Sequence, residues 1–374
     1  MLECANGAYY TGWTIEPLRR LKQHNAGKGA SYTLLNGPCK LVYLEEVANT
    51  GHALRREKQI KMLSHAGKAA LIQDPLLNVL PQFLHQPLTT SPRTEPAEHF
   101  SVVAPGRVNL LGEHIDYNQG IVLPAAIDRE VHLSVRPNGE PLLRLKALDL
   151  AQEVEIDLRN LDQQVDRDGN PLPHYALYMA GVAWALQQAG FQTLGMDAEL
   201  TSTIPMGAGL SSSAAVEVAF ALAWKILGGL PCSGKELAAL CQQAENSYVG
   251  VNSGLMDQYA SLFGVKGHLL QFDTRSLECS PLKLPAHTAI VIADSGVRRD
   301  LANSAYNDRR ADCAEAFNLL KQWLPDITSW RDVSPLGLLQ NQHHLPERLA
   351  KRAQHVVGEI ERVRLGILDL KKGD

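Results

Sequence analysis

The sequence predicts an α+β protein built as two units of opposite charge, and three observations carry that expectation. Short alternating runs typical of strands, Val131-Leu133-Val135 and Leu143-Leu145-Ala147, share the chain with longer apolar stretches at helical spacing. Residues 1–73 hold ten Lys and Arg against five Asp and Glu, whereas the rest hold 26 against 35, so a basic module precedes an acidic one. At the junction, residues 74–99 carry prolines at 75, 81, 87, 92 and 96, which forbid a continuous helix and favour an extended linker.

Bulk properties narrow the class. At 374 residues and 45% hydrophobic, the chain can bury more than one core. No run of about eighteen uncharged apolar residues occurs, so no membrane helix and no membrane partner are expected. The N-terminus shows no basic segment followed by an apolar one, as a secretory leader would. Six scattered cysteines without a CxxC pair predict reduced thiols and a cytoplasmic location.

In the acidic unit, Phe100 to Val103 reads as a short strand broken by Pro105-Gly106. Arg107, Glu113, His114 and Asp116 then cluster in apolar surroundings. Burying such charges bare is costly, so a salt-bridged turn or a polar ligand must satisfy them. The two alternating runs flank Pro137-Asn138-Gly139, which fits a hairpin.

The most informative segment is TSTIPMGAGLSSSAAVEVAFALAWKIL, from Thr201 to Leu227. A turn of Gly207, Ala208, Gly209 and Leu210 passes through Ser211, Ser212 and Ser213 into a helix that is apolar almost all round. Glycines let backbone amides approach an anion, and the helix start offers unpaired N–H groups and a positive dipole end. A serine cap explains one serine but not three beside two glycines. Phosphate binding explains them all. There is no GxxxxGK[ST] loop and no DFG, and Ser213 stands where a nucleophile elbow needs glycine.

Ser233-x-x-Glu236 makes a capping box for a further helix, whose buried face is marked by Leu237, Leu240, Cys241 and Ala244. Glu245 lies beside that face. Asp257 follows in GVNSGLMDQYASLFG near another helix start. Ala289 to Ala293 reads as a buried strand, and Asn303 to Trp323 and Pro346 to Val363 as helices. Arg107, Glu113, Ser212, Glu245 and Asp257 together supply phosphate donors, ligands for a hard cation, and a carboxylate with its partner cation. Phosphoryl transfer requires that set.

The strings APGRVNLLGEHIDYNQG, PMGAGLSSSAA, CQQAENSYVGVNSGLMDQ and NSAYNDRRADC resemble galactokinases, members of the GHMP kinase superfamily, in residue type, order and spacing. The resemblance runs from about Phe100 to the C-terminus. It implies a two-domain kinase fold, with a mixed sheet plus helices over residues 100–285 and a second domain over 286–374. It implies ATP-dependent phosphorylation of galactose at the anomeric hydroxyl, with Mg²⁺ as cofactor. Asp257 would be the catalytic carboxylate and Arg107 its partner. A carboxylate held by arginine is a weaker base, so both proton acceptance and orientation of the hydroxyl stay open roles. Glu113, His114, Asp116, Gly254 and Tyr306 would bind galactose hydroxyls. Ser212 and Glu245 would hold Mg²⁺, and Gly207 to Ser213 would cradle the ATP phosphates.

Two departures accompany the resemblance. Where the family commonly reads W-x-N-Y ahead of a helix touching adenine, this chain has Tyr175-Ala176-Leu177-Tyr178. Tyr175 and Tyr178 would keep the stacking but not a polar contact. The family also continues past the HVVGEI segment (His355 to Ile360) to a closing GGGFGG motif. The chain stops at Asp374, so the second kinase domain is expected to be incomplete, with sheet edge and apolar surface exposed.

Residues 1–73 resemble the GIY-YIG nuclease domain in its small stand-alone subgroup. Tyr10-Thr11-Gly12 would be the second half of the name motif, Arg20 would contact phosphate from a helix, and Glu57 would hold a divalent metal. The basic balance suits a nucleic-acid backbone. The first strand, with its leading tyrosine, is expected to precede Met1 and so to be missing from a small sheet. Two alternatives to a fused galactokinase stand beside it. One is a GIY-YIG-type DNA-binding or endonuclease protein whose kinase part only senses galactose and ATP. The other is an inactive truncated fusion.

Overall fold

The computed structural model describes residues 1–14, 17–25, 31–36, 38–45, 47, 50–73, 99–296 and 306–372. The linker expected over 74–99 lies outside these residues up to 98, and so do residues 303–305 of the helix expected from Asn303. The chain divides into two compact units, Met1–Ser91 and Pro92–Asp374.

In the first unit, strands β1 (Leu2–Glu3), β2 (Tyr9–Tyr10) and β3 (Lys40–Leu41) form a sheet in the order β2-β1-β3. Leu2 and Glu3 stand at its centre, pairing with Tyr9 and Tyr10 on one side and with Lys40 and Leu41 on the other. Helices α1 (Pro17–Asn25), α2 (Ser31–Asn36), α3 (Thr50–Lys61) and α4 (His65–Gln73) complete the described part. Proline at the first helical position of α1 suits a residue without an N–H.

In the second unit, β4 (Phe100–Asn109), β6 (Pro124–Pro137), β9 (Met196–Ser202), β7 (Leu142–Ala147) and β8 (Gln152–Asp157) form a mixed sheet in that order. Two sequence expectations change here. Pro105-Gly106 does not end β4 but produces a bulge between Pro105 and Arg107, after which pairing with β6 resumes; a bulge absorbs a proline without losing the ladder. Nor do β6 and β7 form a hairpin. β9 lies between them, antiparallel to β6 and parallel to β7, so the alternating runs share a sheet without touching. The hairpin is β7 with β8.

Helix α5 (His174–Gln188) packs on α6 (Ser212–Gly228), which lies against β4 and β6. Val131, Leu133, Met179, Phe220 and Trp224 meet there as one core, each such side chain contributing roughly 1.5–3 kcal/mol. Helix α7 (Gly234–Gln243) starts at the expected capping box and buries Leu237, Leu240 and Cys241. It continues into a π-helical turn, Ala244–Val249. Helix α8 (Met256–Phe263) follows.

A second core joins a small sheet, β11 (Glu278–Lys283), β10 (His268–Asp273) and β5 (Ile121–Val122), to α9 (Tyr306–Leu320), α10 (Pro335–Asn341) and α11 (Glu347–Lys372). Residues 289–293 are not the buried strand read from their apolar run: Val291 is 89% exposed and the segment forms no ladder. A strand exists only through its neighbour, and no described residue pairs with this one. Among the described residues no helix is long and apolar enough to cross a membrane.

Candidate active site

Arg107 follows the bulge in β4 and pairs there with Ala126 of β6. Its Nε and Nη2 donate to Asp257 Oδ1 and Oδ2 at 2.8 and 2.6 Å. Its Nη1 donates to the carbonyl of Gly209 at 2.7 Å, and its own backbone N–H to Leu210 O at 3.1 Å. One arginine thus ties the strand, the first turn of α8 and the glycine loop together. Burial works against the charged guanidinium, but the Asp257 carboxylate more than offsets it and holds the arginine's pKa above its usual range. Asp257 also accepts from the Ser211 hydroxyl.

The loop from Gly112 to Asn118 brings Glu113, His114 and Asp116 to the same cavity as this pair. His114 adopts a left-handed backbone at φ +62°, uncommon for a residue with a side chain. Its Nδ1 lies 2.7 Å from the Tyr117 hydroxyl. Asp116 opens a 3₁₀ turn, and burial, reinforced by the charge of Asp257, raises its pKa to about 7. Asn109 donates to the Glu113 carboxylate at 3.2 Å. Tyr306 begins α9 with its ring 5.5 Å from those of both His114 and Tyr117, and burial pushes its phenol well up. Gly254 faces Asp116 so closely that a Cβ there would lie 2.0 Å from Oδ2. These five expected sugar residues come together.

In the glycine–serine loop, which also lines the cavity, Gly207 and Gly209 take φ of +68° and +75°, the conformation that glycine reaches without penalty. Ser211 also turns left-handed, at +59°, and Ser212 starts α6. Glu245, in the π-helical turn, is 4% exposed. It accepts from Ser253 and, at 3.4 Å, from Ser213. Ser212 lines the same cavity, but the direct hydrogen bond to Glu245 belongs to its neighbour. Burial raises the Glu245 pKa to about 7, with Ser253 opposing and Asp257 adding to the rise.

Behind Glu245 sits a layer that local sequence reading missed. Gln258 Nε2 bridges Glu245 Oε2 at 3.1 Å and Glu217 Oε2 at 3.0 Å. Glu217 is fully buried in α6, and burial together with Glu245 drives its pKa well above the carboxylate range. The remaining oxygens of Glu217 and Gln258 have no partner. A lone carboxylate in an otherwise apolar helix was the available signal.

Tyr175 and Tyr178, on the first turns of α5, line the same cavity of about 1150 Å³ as the sugar loop, the glycine–serine loop and Asp257. The Tyr175 hydroxyl is buried without a hydrogen-bond partner. A cavity this large accommodates two small-molecule ligands side by side.

In the small unit, Tyr10, Arg20 and Glu57 line one depression of about 250 Å³, together with Trp13 and His24. Arg20 donates to Gln23 at 3.0 Å, and Glu57 pairs with Lys61. The three expected residues, distant in sequence, therefore share a site.

Comparisons with known proteins agree with this geometry. Family models match three stretches: the GIY-YIG catalytic domain over residues 1–69, the galactokinase galactose-binding signature over 93–137, and the GHMP kinases N terminal domain over 177–265. A galactokinase of Roseiflexus sp. (strain RS-1) is 46% identical over 276 residues, covering 74% of this chain and 69% of the relative. One from Chloroflexus aurantiacus is 42% identical, over 72% of this chain and 68% of its own length. The crystal structure of Lactococcus lactis galactokinase complexed with galactose superposes with a TM-score of 0.66 at 30% identity, covering 75% of this chain and 71% of that one. With its sugar loop, its glycine–serine loop and its Arg107–Asp257 pair in place, the chain belongs to the galactokinase family of GHMP kinases.

Proposed function

We propose that the chain transfers the γ-phosphoryl group of ATP to the anomeric hydroxyl of galactose, releasing ADP. The observation that carries this reading is the Arg107–Asp257 pair, which lines one cavity together with a polar loop and a glycine–serine helix start. Glu113, His114, Asp116, Gly254 and Tyr306 hold the sugar hydroxyls. Backbone amides from Gly207 to Ser213 and the N-terminus of α6 hold the phosphates. Tyr175 and Tyr178 stack on the base. Asp257 accepts a hydrogen bond from the reacting hydroxyl and takes its proton as the oxygen–phosphorus bond forms and ADP departs.

Ser212 and Glu245 fit Mg²⁺: both offer hard oxygen donors on the phosphate side, and one carboxylate with one hydroxyl suits a cation otherwise held by phosphates. When bound, the ion would neutralise charge on the transferring group. The six free cysteines suit a reducing, cytoplasmic setting.

The test is sugar-dependent ADP release, with phosphorus NMR of the product. Release that requires galactose and a phosphate on the anomeric oxygen are expected. Hydrolysis of ATP indifferent to galactose would refute the assignment.

A second reading concerns the small unit. The convergence of Tyr10, Arg20 and Glu57 in one depression, on a module with net basic charge, supports binding of a nucleic-acid backbone. Duplex DNA affinity that falls with rising salt, and falls further in Arg20→Ala, is expected by fluorescence anisotropy. Binding unaffected by either would remove this reading.

A further inference from the structure

Glu113, the first charged residue of the sugar loop, has its peptide gripped on both sides by α11. The carboxylate Oε1 of Glu359 accepts from the backbone N–H of Gly112 at 2.6 Å and of Glu113 at 3.2 Å. One helical turn earlier, His355 Nε2 donates to the carbonyl of Glu113 at 2.8 Å. Arg362 fixes the other oxygen of Glu359 at 2.6 Å. These contacts join segments 242 to 247 residues apart in sequence.

We propose that Glu359 and His355 are positioning residues for galactose, setting the loop of Glu113, His114 and Asp116 in its sugar-binding conformation. Three features separate this role from ordinary packing. Glu359 is only 5% exposed, and a buried carboxylate is costly unless its partners are well placed. Its partners are two consecutive amides immediately before His114, whose left-handed φ of +62° needs outside support. Finally, the clamp's hydrogen bonds to the loop all go to backbone atoms, with only a ring-edge contact from His355 to His114 beside them, so the Glu113 side chain stays exposed. Burial alone would raise the Glu359 pKa, but the Gly112 amide and Arg362 overcome it and keep it below the usual range. The carboxylate is thus a charged acceptor, the stronger kind of hydrogen bond.

This inference rests on the assignment of the loop to galactose, so the experiment includes variants of the loop itself. Steady-state kinetics and calorimetric galactose binding without nucleotide would be measured for Glu359→Ala, Glu359→Gln, His355→Ala, Glu113→Ala and Asp116→Asn, with melting followed by circular dichroism. Glu359→Ala should raise both KM and Kd for galactose about tenfold or more, the loss of one charged hydrogen bond, while KM for ATP stays within about twofold. Glu359→Gln should recover most of the affinity, because its amide oxygen still accepts from both N–H groups. His355→Ala, at a part-exposed position, should raise galactose KM several-fold with the fold intact, and it carries the test if Glu359→Ala does not fold. Unchanged galactose affinity in His355→Ala or in a folded Glu359→Ala, or a parallel rise in both KM values, would overturn the proposal. If Glu113→Ala and Asp116→Asn leave galactose affinity untouched, the loop assignment fails first and the positioning role falls with it.

Discussion

Arg107 reaches across 150 residues of sequence to hold Asp257 through two parallel hydrogen bonds, and its third nitrogen grips the carbonyl of Gly209. The planar guanidinium fork matches a carboxylate in a way that no other side chain does. One residue therefore fixes the Asp257 carboxylate and the glycine–serine loop together. Asp257→Asn should lower kcat by roughly 10²–10⁴-fold, the usual worth of a positioned proton acceptor, while galactose Kd changes little. Arg107→Lys should not rescue Arg107→Ala, since an ammonium cannot make the bidentate contact or span to Gly209 as well. Both should lose kcat and raise KM for ATP. Wild-type turnover in Asp257→Asn would remove the assigned role.

Gln258 stands between two acids, Glu217 and Glu245. Its Nε2 is a donor that both carboxyl groups share, while Ser253 and Ser213 donate to Glu245 alone. Gln258→Ala should therefore weaken the dependence of activity on Mg²⁺ by about 10–100-fold in apparent affinity, the range for partners that orient a metal ligand. It should also cost about 1–3 kcal/mol of stability by leaving buried oxygens unsatisfied. Gln258→Glu, which adds a third acid, should be worse than Gln258→Ala. Mg²⁺ titrations of initial rate, with thermal melts, provide the check; equal Mg²⁺ response in all three proteins would contradict the argument.

Sequence reading reached the parts of this site whose signals are local. Glycines at 207 and 209 with three serines marked a tight loop at a helix start, clustered charges from Arg107 to Asp116 marked a polar loop that lines the same cavity, and Ser233 with Glu236 marked a helix start that the structure reproduces. It missed what depends on distant chain segments. Glu217 and Gln258 meet over 41 residues, and Glu359 meets Gly112 over 247; neither pairing leaves a periodic trace. The β6–β7 hairpin was misread for the same reason, because β9, inserted between them, arrives some fifty residues later. The run at 289–293 carried the composition of a strand but not a partner, and composition alone does not make a ladder.

Asp116 gives a pH prediction. Its ordinary pKa of 3.8 is raised to about 7 in the folded site, chiefly by burial. An acid raised on folding favours the native state when protonated. Its stabilising contribution is therefore fully present below about 3.8 and lost as pH rises through about 7. The ligand-free protein should melt at progressively lower temperature across that window, relative to Asp116→Asn, whose amide does not titrate there. Melting curves of both proteins at matched pH values test this. Parallel curves would show that Asp116 does not titrate in that range.

Gly254 offers the sharpest steric test, because a Cβ there would meet Asp116 Oδ2 at 2.0 Å and Cγ at 2.6 Å. Asp116 has a short side chain with few places to go, so Gly254→Ala must push its carboxylate out of the cavity or shift the loop before α8. Overpacking of this kind costs about 1–3 kcal/mol. Expressed in the site rather than in the fold, that corresponds to a rise in galactose KM of about tenfold. Nucleotide binding should be spared, since the atoms nearest the added Cβ all belong to Asp116. The double variant Gly254→Ala with Asp116→Asn should be scarcely worse than either single change, because both act on one carboxylate. Additive losses in that cycle would mean that Gly254 serves the sugar by some route other than Asp116.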